Sequence, residues 1–186
     1  VDFYISNKCI DYTEAQLDRS IVSPKQIRLN LEEFKKSIYT DLFPERKVSW
    51  NYIPKTLIFA KDDHHATEIV KIVKKVFAEN FDDNIVPEKF VQKITYSAGD
   101  TDALIREFRI NKEFRIAVTV TLVATGTDVK PLEVVFFMRD VNSDVLYTQM
   151  KGRGCRVISD DKLREVTPNA TTKDCYYIVD AIDTVK

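Results

Sequence analysis

Residues 115–156 have the sequence RIAVTVTLVATGTDVKPLEVVFFMRDVNSDVLYTQMKGRGCR, which decides the fold class of the chain. An apolar run at 115–121 is followed by a second one, EVVFFM, at 133–138. Ser143, a good helix-capping residue, then precedes apolar residues at helical spacing. Continuously apolar strands are typical of sheets buried on both faces, which are mostly parallel. The segment therefore predicts two buried strands and a helix of an α/β domain.

The same alternation extends through the rest of the chain. Three further apolar runs predict strands: KTLIFA at 55–60, VQKITY at 91–96 and YYIVDA at 176–181. Helices are predicted after Ser23-Pro24, after Asp62 or Asp63, and after Asp100 or Thr101, since these residue types cap helix N-termini. We expect a three-layer α/β domain over residues 50–186, with a mostly parallel sheet between helices. Residues 1–49 would form a linker and a packed helix.

Composition limits the function classes. The chain has 186 residues, 44% of them hydrophobic and 31% charged, with a net charge of −1. A protein that binds DNA through phosphates alone usually has a basic excess, so any nucleic-acid contact must be local. Three widely spaced cysteines indicate reduced thiols and a cytoplasmic location. No apolar run predicts a membrane span, and the first residue, Val1, indicates a piece of a longer protein.

One candidate site is the segment QMKGRGCR, from Gln149 to Arg156. If the helix continues, Gln149 and Arg153 share a face, and Arg156 follows beyond Gly152 and a second glycine. Two adjacent guanidiniums suit a polyphosphate, because arginine is always charged and binds phosphate oxygens with a planar fork. The same arrangement also fits a solvated helix end, where arginines complement the helix dipole.

A second candidate site is the turn that follows the first apolar run. Thr119 ends the strand region, and Thr125, Gly126 and Asp128 follow it. Ligands of α/β sheets gather at the carboxyl ends of the strands, where a hydroxyl and a backbone N–H can hold a phosphate. An ordinary strand-end turn has the same composition, so this segment alone leaves both interpretations open.

The two segments together resemble motifs V and VI of superfamily 2 helicases in order and spacing: TG-x-D, an apolar strand, then Q-x-x-GR-x-x-R. KTLIFAKDDHH at 55–65 resembles the motif IV region, and Ser97-Ala-Gly the segment after the next strand. Flanking phrases, SPKQIR at 23–28, FFMRDVNSDVLYTQMKGRG at 136–154 and TTKDCYYIVDAI at 171–182, look like the motor (restriction, R) subunit of Type I restriction-modification enzymes. The resemblance runs from about Leu17 to the end. It departs at Thr121, where these proteins often carry Asp.

The resemblance implies that residues 50–186 are a RecA-like second lobe and that residues 1–49 are an inter-lobe linker with a packed helix. It also implies a role for each matching residue. Arg153 and Arg156 would be the catalytic arginines that reach the phosphates of ATP. Gly126, Asp128, Gln149 and Gly152 would line the nucleotide cleft, and Ser97, Thr119 and Thr125 would contact the DNA backbone. The chain has no G-x-x-x-x-G-K-[ST] loop and no Asp-Glu-x-His segment, so ATP and Mg²⁺ would bind only together with the first lobe.

The implied protein is one lobe of a DNA-dependent ATPase within a Type I deoxyribonuclease. Its partners would be double-stranded DNA, the first RecA-like lobe of the same subunit, and the modification and specificity subunits, without a membrane. We expect no metal site in the isolated chain, because the four consecutive residues Asp62–His65 cannot all converge on one ion. Two alternatives remain: the second lobe of another superfamily 2 DNA helicase, such as a repair motor, and a non-catalytic helicase-like interaction module.

Overall fold

A computed structural model describes residues 23–121, 128–141 and 143–181, and the backbone of residues 2–5 and 8–10. The strands are β1 (Asp2–Ile5), β2 (Lys8–Ile10), β3 (Lys55–Phe59), β4 (Val91–Lys93), β5 (Ile116–Thr119), β6 (Leu132–Phe137) and β7 (Tyr177–Asp180). The α-helices are α1 (Pro24–Ser37), α2 (Asp63–Phe77), α3 (Thr101–Ile110), α4 (Asp144–Lys151) and α5 (Asp160–Val166).

The strands form one sheet in the order β2-β1-β7-β6-β3-β5-β4. The five strands from β7 to β4 are parallel, with β3 between β5 and β6. This confirms the predicted α/β class and its mostly parallel sheet. The antiparallel pair β1 and β2, which extends the sheet beyond β7, was not predicted.

Both faces of the parallel sheet are covered. Every residue of β3 and β6 is buried, as expected of continuously apolar strands. On one face, α1 and α2 place Leu31 and Val73 in a core with Ile58 and Phe136 of the sheet. The other face carries a second core, to which α3 and α4 contribute apolar side chains. Each apolar side chain buried in this way stabilises the fold by about 1.5–3 kcal/mol.

Four helices begin where the sequence predicts. The side chains of Ser23, Asp62, Asp100 and Ser143 each accept a hydrogen bond from a backbone N–H in the first turn of α1, α2, α3 and α4. These bonds satisfy donors that have no partner within the helix. The fifth helix, α5, was not predicted. None of the helices in the described part of the chain combines the length and apolar character that crossing a bilayer requires.

Charged side chains are buried where the parallel strands begin. Arg115, just before β5, is fully buried and donates to the backbone oxygens of Ile53 and Val166. It thereby connects the segment before β3 to the end of α5. Arg46 forms a two-pronged ion pair with Glu133, and both side chains are almost completely buried. These contacts fix the loops at the amino-terminal edge of the sheet.

Candidate functional site

The segment directly after α4 contains the two predicted catalytic arginines, Arg153 and Arg156. The α-helix ends at Lys151 and continues as a short 3₁₀ turn, Gly152–Gly154. Arg153 therefore lies on this turn and not on the α-helical face that we expected it to share with Gln149. Gln149 is exposed on the helix, and Arg156 follows two residues after the turn, also exposed.

The two glycines of the turn have different surroundings. A Cβ atom on Gly152 would meet nothing within 4 Å, so this residue leaves open space beside Arg153. A Cβ atom on Gly154 would lie 2.2 Å from Cδ2 of Tyr176. Gly154 therefore lets the turn pack closely on the Tyr176 ring.

Arg153, Arg156 and Asp128 come together, as the motif spacing suggested. Arg156 Nε lies 3.1 Å from Asp128 Oδ1, an ion pair without hydrogen-bond geometry. The side chains are 61% and 39% exposed respectively, so the pair contributes only about 0–1 kcal/mol. Burial is the main cause that lowers the pKa of Arg153, the charge of Arg156 lowers it further, and Asp128 opposes both. Two guanidiniums thus share the field of one carboxylate.

Lys173 is a residue of this site that the sequence did not reveal. Its ammonium donates to the backbone oxygens of Lys130 at 2.9 Å and Arg156 at 2.7 Å. Burial lowers the pKa of Lys173 to about 8. The Lys173 side chain thereby connects the segments before β6 and before β7 to Arg156, just after the Gly152–Gly154 turn, which we call the arginine turn. Lys173 lies in the phrase TTKDCYYIVDAI, but no periodicity or motif assigned it to a site, because its partners are backbone atoms.

The arginine site lies at the amino-terminal edge of the sheet. Asp128 and Lys130 precede β6, and Lys173 precedes β7. A cavity of about 610 Å³ opens beside Asp128. Its lining includes Arg109, Ile110, Lys130, Val157 and Lys162. The expectation that Asp128 lies at the carboxyl ends of the strands was wrong, because Asp128 directly precedes the parallel strand β6 and so lies near its amino-terminal end.

Two of the predicted DNA contacts, Ser97 and Thr119, lie at the opposite, carboxyl-terminal edge. Ser97 is exposed in a 3₁₀ turn after β4, and its hydroxyl donates to Asp63 Oδ1 at 2.6 Å. Thr119, the last residue of β5, has no exposed surface, and its hydroxyl lacks a hydrogen-bond partner in the described part of the chain. Thr119 is therefore out of reach of a DNA phosphate in this structure. Thr125 and Gly126 lie outside the described residues.

The structure also shows the surroundings of the two histidines, His64 and His65. His65 is buried in α2 and accepts from the Lys61 N–H through Nδ1, whereas His64 is exposed. Over the ranges that the structure describes, no three His, Cys, Asp or Glu side chains form a group able to hold a metal ion.

Comparisons with known proteins test the resemblance. No family model matches the chain. The chain is 30% identical over 159 residues, 79% of its length, to the endonuclease subunit of the Type I restriction enzyme EcoKI from Escherichia coli K12. It spans 12% of that relative's length. In fold, it matches the structure of a fragment of an HsdR subunit of a type I restriction enzyme from Vibrio vulnificus YJ016, with a TM-score of 0.59 and 20% identity, over 91% of this chain and 30% of that one. The resemblance is confirmed: the chain is similar to the endonuclease subunit of a Type I restriction enzyme, and it shares its fold with a fragment of an HsdR subunit.

Proposed function

We propose that the chain is the second RecA-like lobe of an ATP-dependent double-stranded DNA translocase, the motor subunit of a Type I restriction enzyme. The similarity to the EcoKI endonuclease subunit supports the enzyme context. The order of the motifs supports the position in the second lobe. Modification and specificity subunits would be its partners in the cytoplasm, and the first lobe of the same subunit would face it across the nucleotide.

One observation carries the nucleotide part of the proposal: two guanidiniums, Arg153 and the exposed Arg156, lie in the field of the Asp128 carboxylate just after α4. Two adjacent guanidinium forks suit the oxygens of a polyphosphate. Gly152 leaves space beside the arginines, and Gln149 and Asp128 would lie along the same cleft with Gly126. The residues present fit the phosphates of ATP. They do not supply a Mg²⁺ site, which would require carboxylates of the first lobe.

The role of each residue follows from its charge and position. The Arg156 fork would stabilise negative charge on the transferred phosphoryl group, and Arg153 would hold the neighbouring oxygens. Asp128 would orient Arg156 until the phosphates replace it. Lys173 positions the turn through the backbone oxygen of Arg156. Ser97, and Thr125 with it, would contact the DNA backbone at the other edge of the sheet.

The experiment is a set of arginine variants in the complete motor subunit, assayed for DNA-stimulated ATP hydrolysis and for thermal unfolding. Arg156→Ala should reduce turnover about 10³–10⁵-fold, the contribution expected of an arginine that stabilises phosphoryl transfer. Arg156→Lys should restore little, because an ammonium cannot reproduce the planar fork.

The matched control is Arg28→Ala. Arg28 is also exposed and also forms an ion pair through Nε, with Glu32 at 2.8 Å. Both alanine variants should unfold within a few degrees of the unmodified subunit, and only the Arg156 variant should lose turnover. Near-normal DNA-dependent turnover of Arg156→Ala would remove Arg156 from the catalytic residues and would contradict an ATP site at this edge.

A further inference from the structure

A second charged cluster lies at the carboxyl-terminal edge of the sheet, away from the arginine turn. Asp63, in the first turn of α2, accepts hydrogen bonds from three side chains of the segment that contains β4. Thr95 and Ser97 donate their hydroxyls to Oδ1, each at 2.6 Å, and Lys93 donates its ammonium to Oδ2 at 2.8 Å. The Lys93 ammonium also lies 3.2 Å from the Ser97 hydroxyl. Three donors thus converge on one anion.

The stability of the fold does not explain this convergence. The Asp63 side chain is 50% exposed and that of Lys93 is 22% exposed, whereas Ser97 is exposed and Thr95 is buried. An ion pair with a half-exposed carboxylate adds little to stability. The N-terminal cap of α2 comes from its neighbour, Asp62, which accepts from the N–H of His65. The Asp63 carboxylate is therefore not needed as the cap of the helix.

An exposed aromatic side chain lies within the same segment. Tyr96, between Thr95 and Ser97, is 84% exposed, the largest value among the exposed large hydrophobic residues. An ammonium, hydroxyls and a free aromatic face together form the usual set of contacts to a nucleic-acid strand: charge and hydrogen bonds for the phosphates, a ring for sugars or bases.

We propose that Lys93, Ser97 and Tyr96 form a binding patch for the phosphodiester backbone of DNA, and that Asp63 occupies the phosphate position until DNA replaces it. The proposal rests on the proposed function, which assigns Ser97 to DNA, and adds Lys93, Tyr96 and the competing carboxylate. The two oxygens of a carboxylate and two oxygens of a phosphodiester are spaced alike, so the same donors serve both. The three hydrogen bonds to Asp63 lower its pKa, so the carboxylate remains charged at neutral pH.

If DNA replaces the Asp63 carboxylate, removing this carboxylate and removing one of its donors should have opposite effects on the affinity for DNA. Asp63→Asn removes the competing charge, and duplex DNA should bind about two- to fivefold more tightly, the equivalent of losing one exposed ion pair. Lys93→Ala removes one phosphate contact, so affinity should fall and the slope of log K against log salt should decrease by about 0.9. Tyr96→Ala should weaken binding without changing this slope, because the ring is uncharged.

The assay is fluorescence anisotropy with a labelled duplex, using the complete subunit without nucleotide, over a series of salt concentrations. Asp102→Asn is the matched control, since Asp102 is another exposed carboxylate in the first turn of a helix, α3. It should leave affinity nearly unchanged. In an Asp63→Asn, Lys93→Ala double variant, the gain from Asp63→Asn should shrink, because the two residues interact.

Three results would overturn the proposal. Equal tightening by Asp63→Asn and Asp102→Asn would show a general charge effect. Unchanged affinity in Asp63→Asn and Tyr96→Ala, with the unmodified subunit still binding DNA, would refute this patch and leave the proposed function standing. Displacement of DNA by inorganic phosphate at the same concentration of phosphate groups would indicate a free-phosphate site. A subunit that binds no duplex in any form would contradict the proposed function itself.

Discussion

Replacing Gly154 with alanine should destabilise the arginine turn through one contact. The added Cβ would lie 2.2 Å from Cδ2 and 2.6 Å from Cγ of the Tyr176 ring. Carbon atoms in contact prefer about 3.5–4.0 Å, so the ring or the turn must move by about 1 Å or more. Tyr176 is 5% exposed and belongs to the core between the sheet and α4. The ring therefore cannot move without disturbing its neighbours.

The expected loss of unfolding free energy in Gly154→Ala is the cost of overpacking a core, about 1–3 kcal/mol. In a domain of this size, each 1 kcal/mol lowers the melting temperature by about 2–4 °C. Gly154→Ala should therefore melt about 2–12 °C below the unmodified chain. Gly152→Ala is the control in the same turn. Its Cβ meets no atom within 4 Å, and its backbone angles, φ −59° and ψ −14°, suit any residue. That variant should be unchanged or more stable by about 0.4–1 kcal/mol.

Thermal unfolding followed by circular dichroism, with urea denaturation as a second measure, separates the two variants. If Gly154→Ala melted together with Gly152→Ala, the close packing of the turn on Tyr176 would be wrong. In the complete motor subunit, Gly154→Ala should also slow ATP hydrolysis, because the displaced turn carries Arg153. Gly152→Ala tests instead whether the open space beside Arg153 is used by the phosphates, since it would lower turnover without lowering stability.

Three further predictions concern the buried charges and the isolated chain. Arg46→Met should cost about 3–5 kcal/mol of unfolding free energy, measured in urea, because it leaves the buried Glu133 unpaired; Arg46→Met with Glu133→Leu should recover much of this loss. Burial lowers the pKa of Lys55 to about 6, so between this pH and the pKa of Lys55 in the unfolded chain, the unfolded state binds more protons than the folded state. Stability should therefore rise with pH over this range. Between pH 7 and pH 9, the urea midpoint of Lys55→Met should rise less than that of the unmodified chain. The 186-residue chain alone should hydrolyse no ATP above background in a phosphate-release assay, with or without DNA, because the phosphate-binding loop is absent from its sequence.

Much of the parallel sheet could be predicted from the sequence, because local signals and tertiary packing agree there. The runs at 55–60 and 133–138 are apolar throughout and lie in strands that are buried throughout. Ser23 and Ser143 mark helix starts through hydrogen bonds to nearby backbone, which depend on a few adjacent residues. Signals of this kind need no knowledge of distant parts of the chain.

Strands whose position depends on residues far away in the sequence were not predicted correctly. The strands β1 and β2 have four and three residues. The place of β1 in the sheet comes from pairing with β7, nearly the whole chain away, and β2 is added only through its pairing with β1. The strand β4 is shorter than predicted. Its ladder with β5 ends at the bond from the Ile94 N–H to the Val118 oxygen, and Thr95 and Ser97 then turn toward Asp63. The competing acceptor lies on another element, so alternation in the sequence could not reveal it.

The candidate site was predictable in part. The motif spacing brings Arg156 to Asp128 and Arg153 close to both. No signal in the sequence indicated that this group lies at the amino-terminal edge of the sheet. Lys173 was missed because its hydrogen bonds go to backbone oxygens, which every residue has. Thr119 was assigned to DNA from its place in the motif, and burial of the strand end removes it from reach.

The degree of burial separates the ion pairs that hold the fold from those that can serve a ligand. Arg46 and Glu133 are buried with two hydrogen bonds between them, so separating them would leave charges unpaired in a medium of low dielectric. Arg156 is 61% exposed, and water compensates most of the loss when its contact to Asp128 breaks. Phosphate oxygens can therefore replace the carboxylate at a cost below about 1 kcal/mol. The carboxylate of Asp63 is half-exposed as well, so water also compensates there when its contacts break, although its three hydrogen bonds hold it more firmly than Asp128 is held.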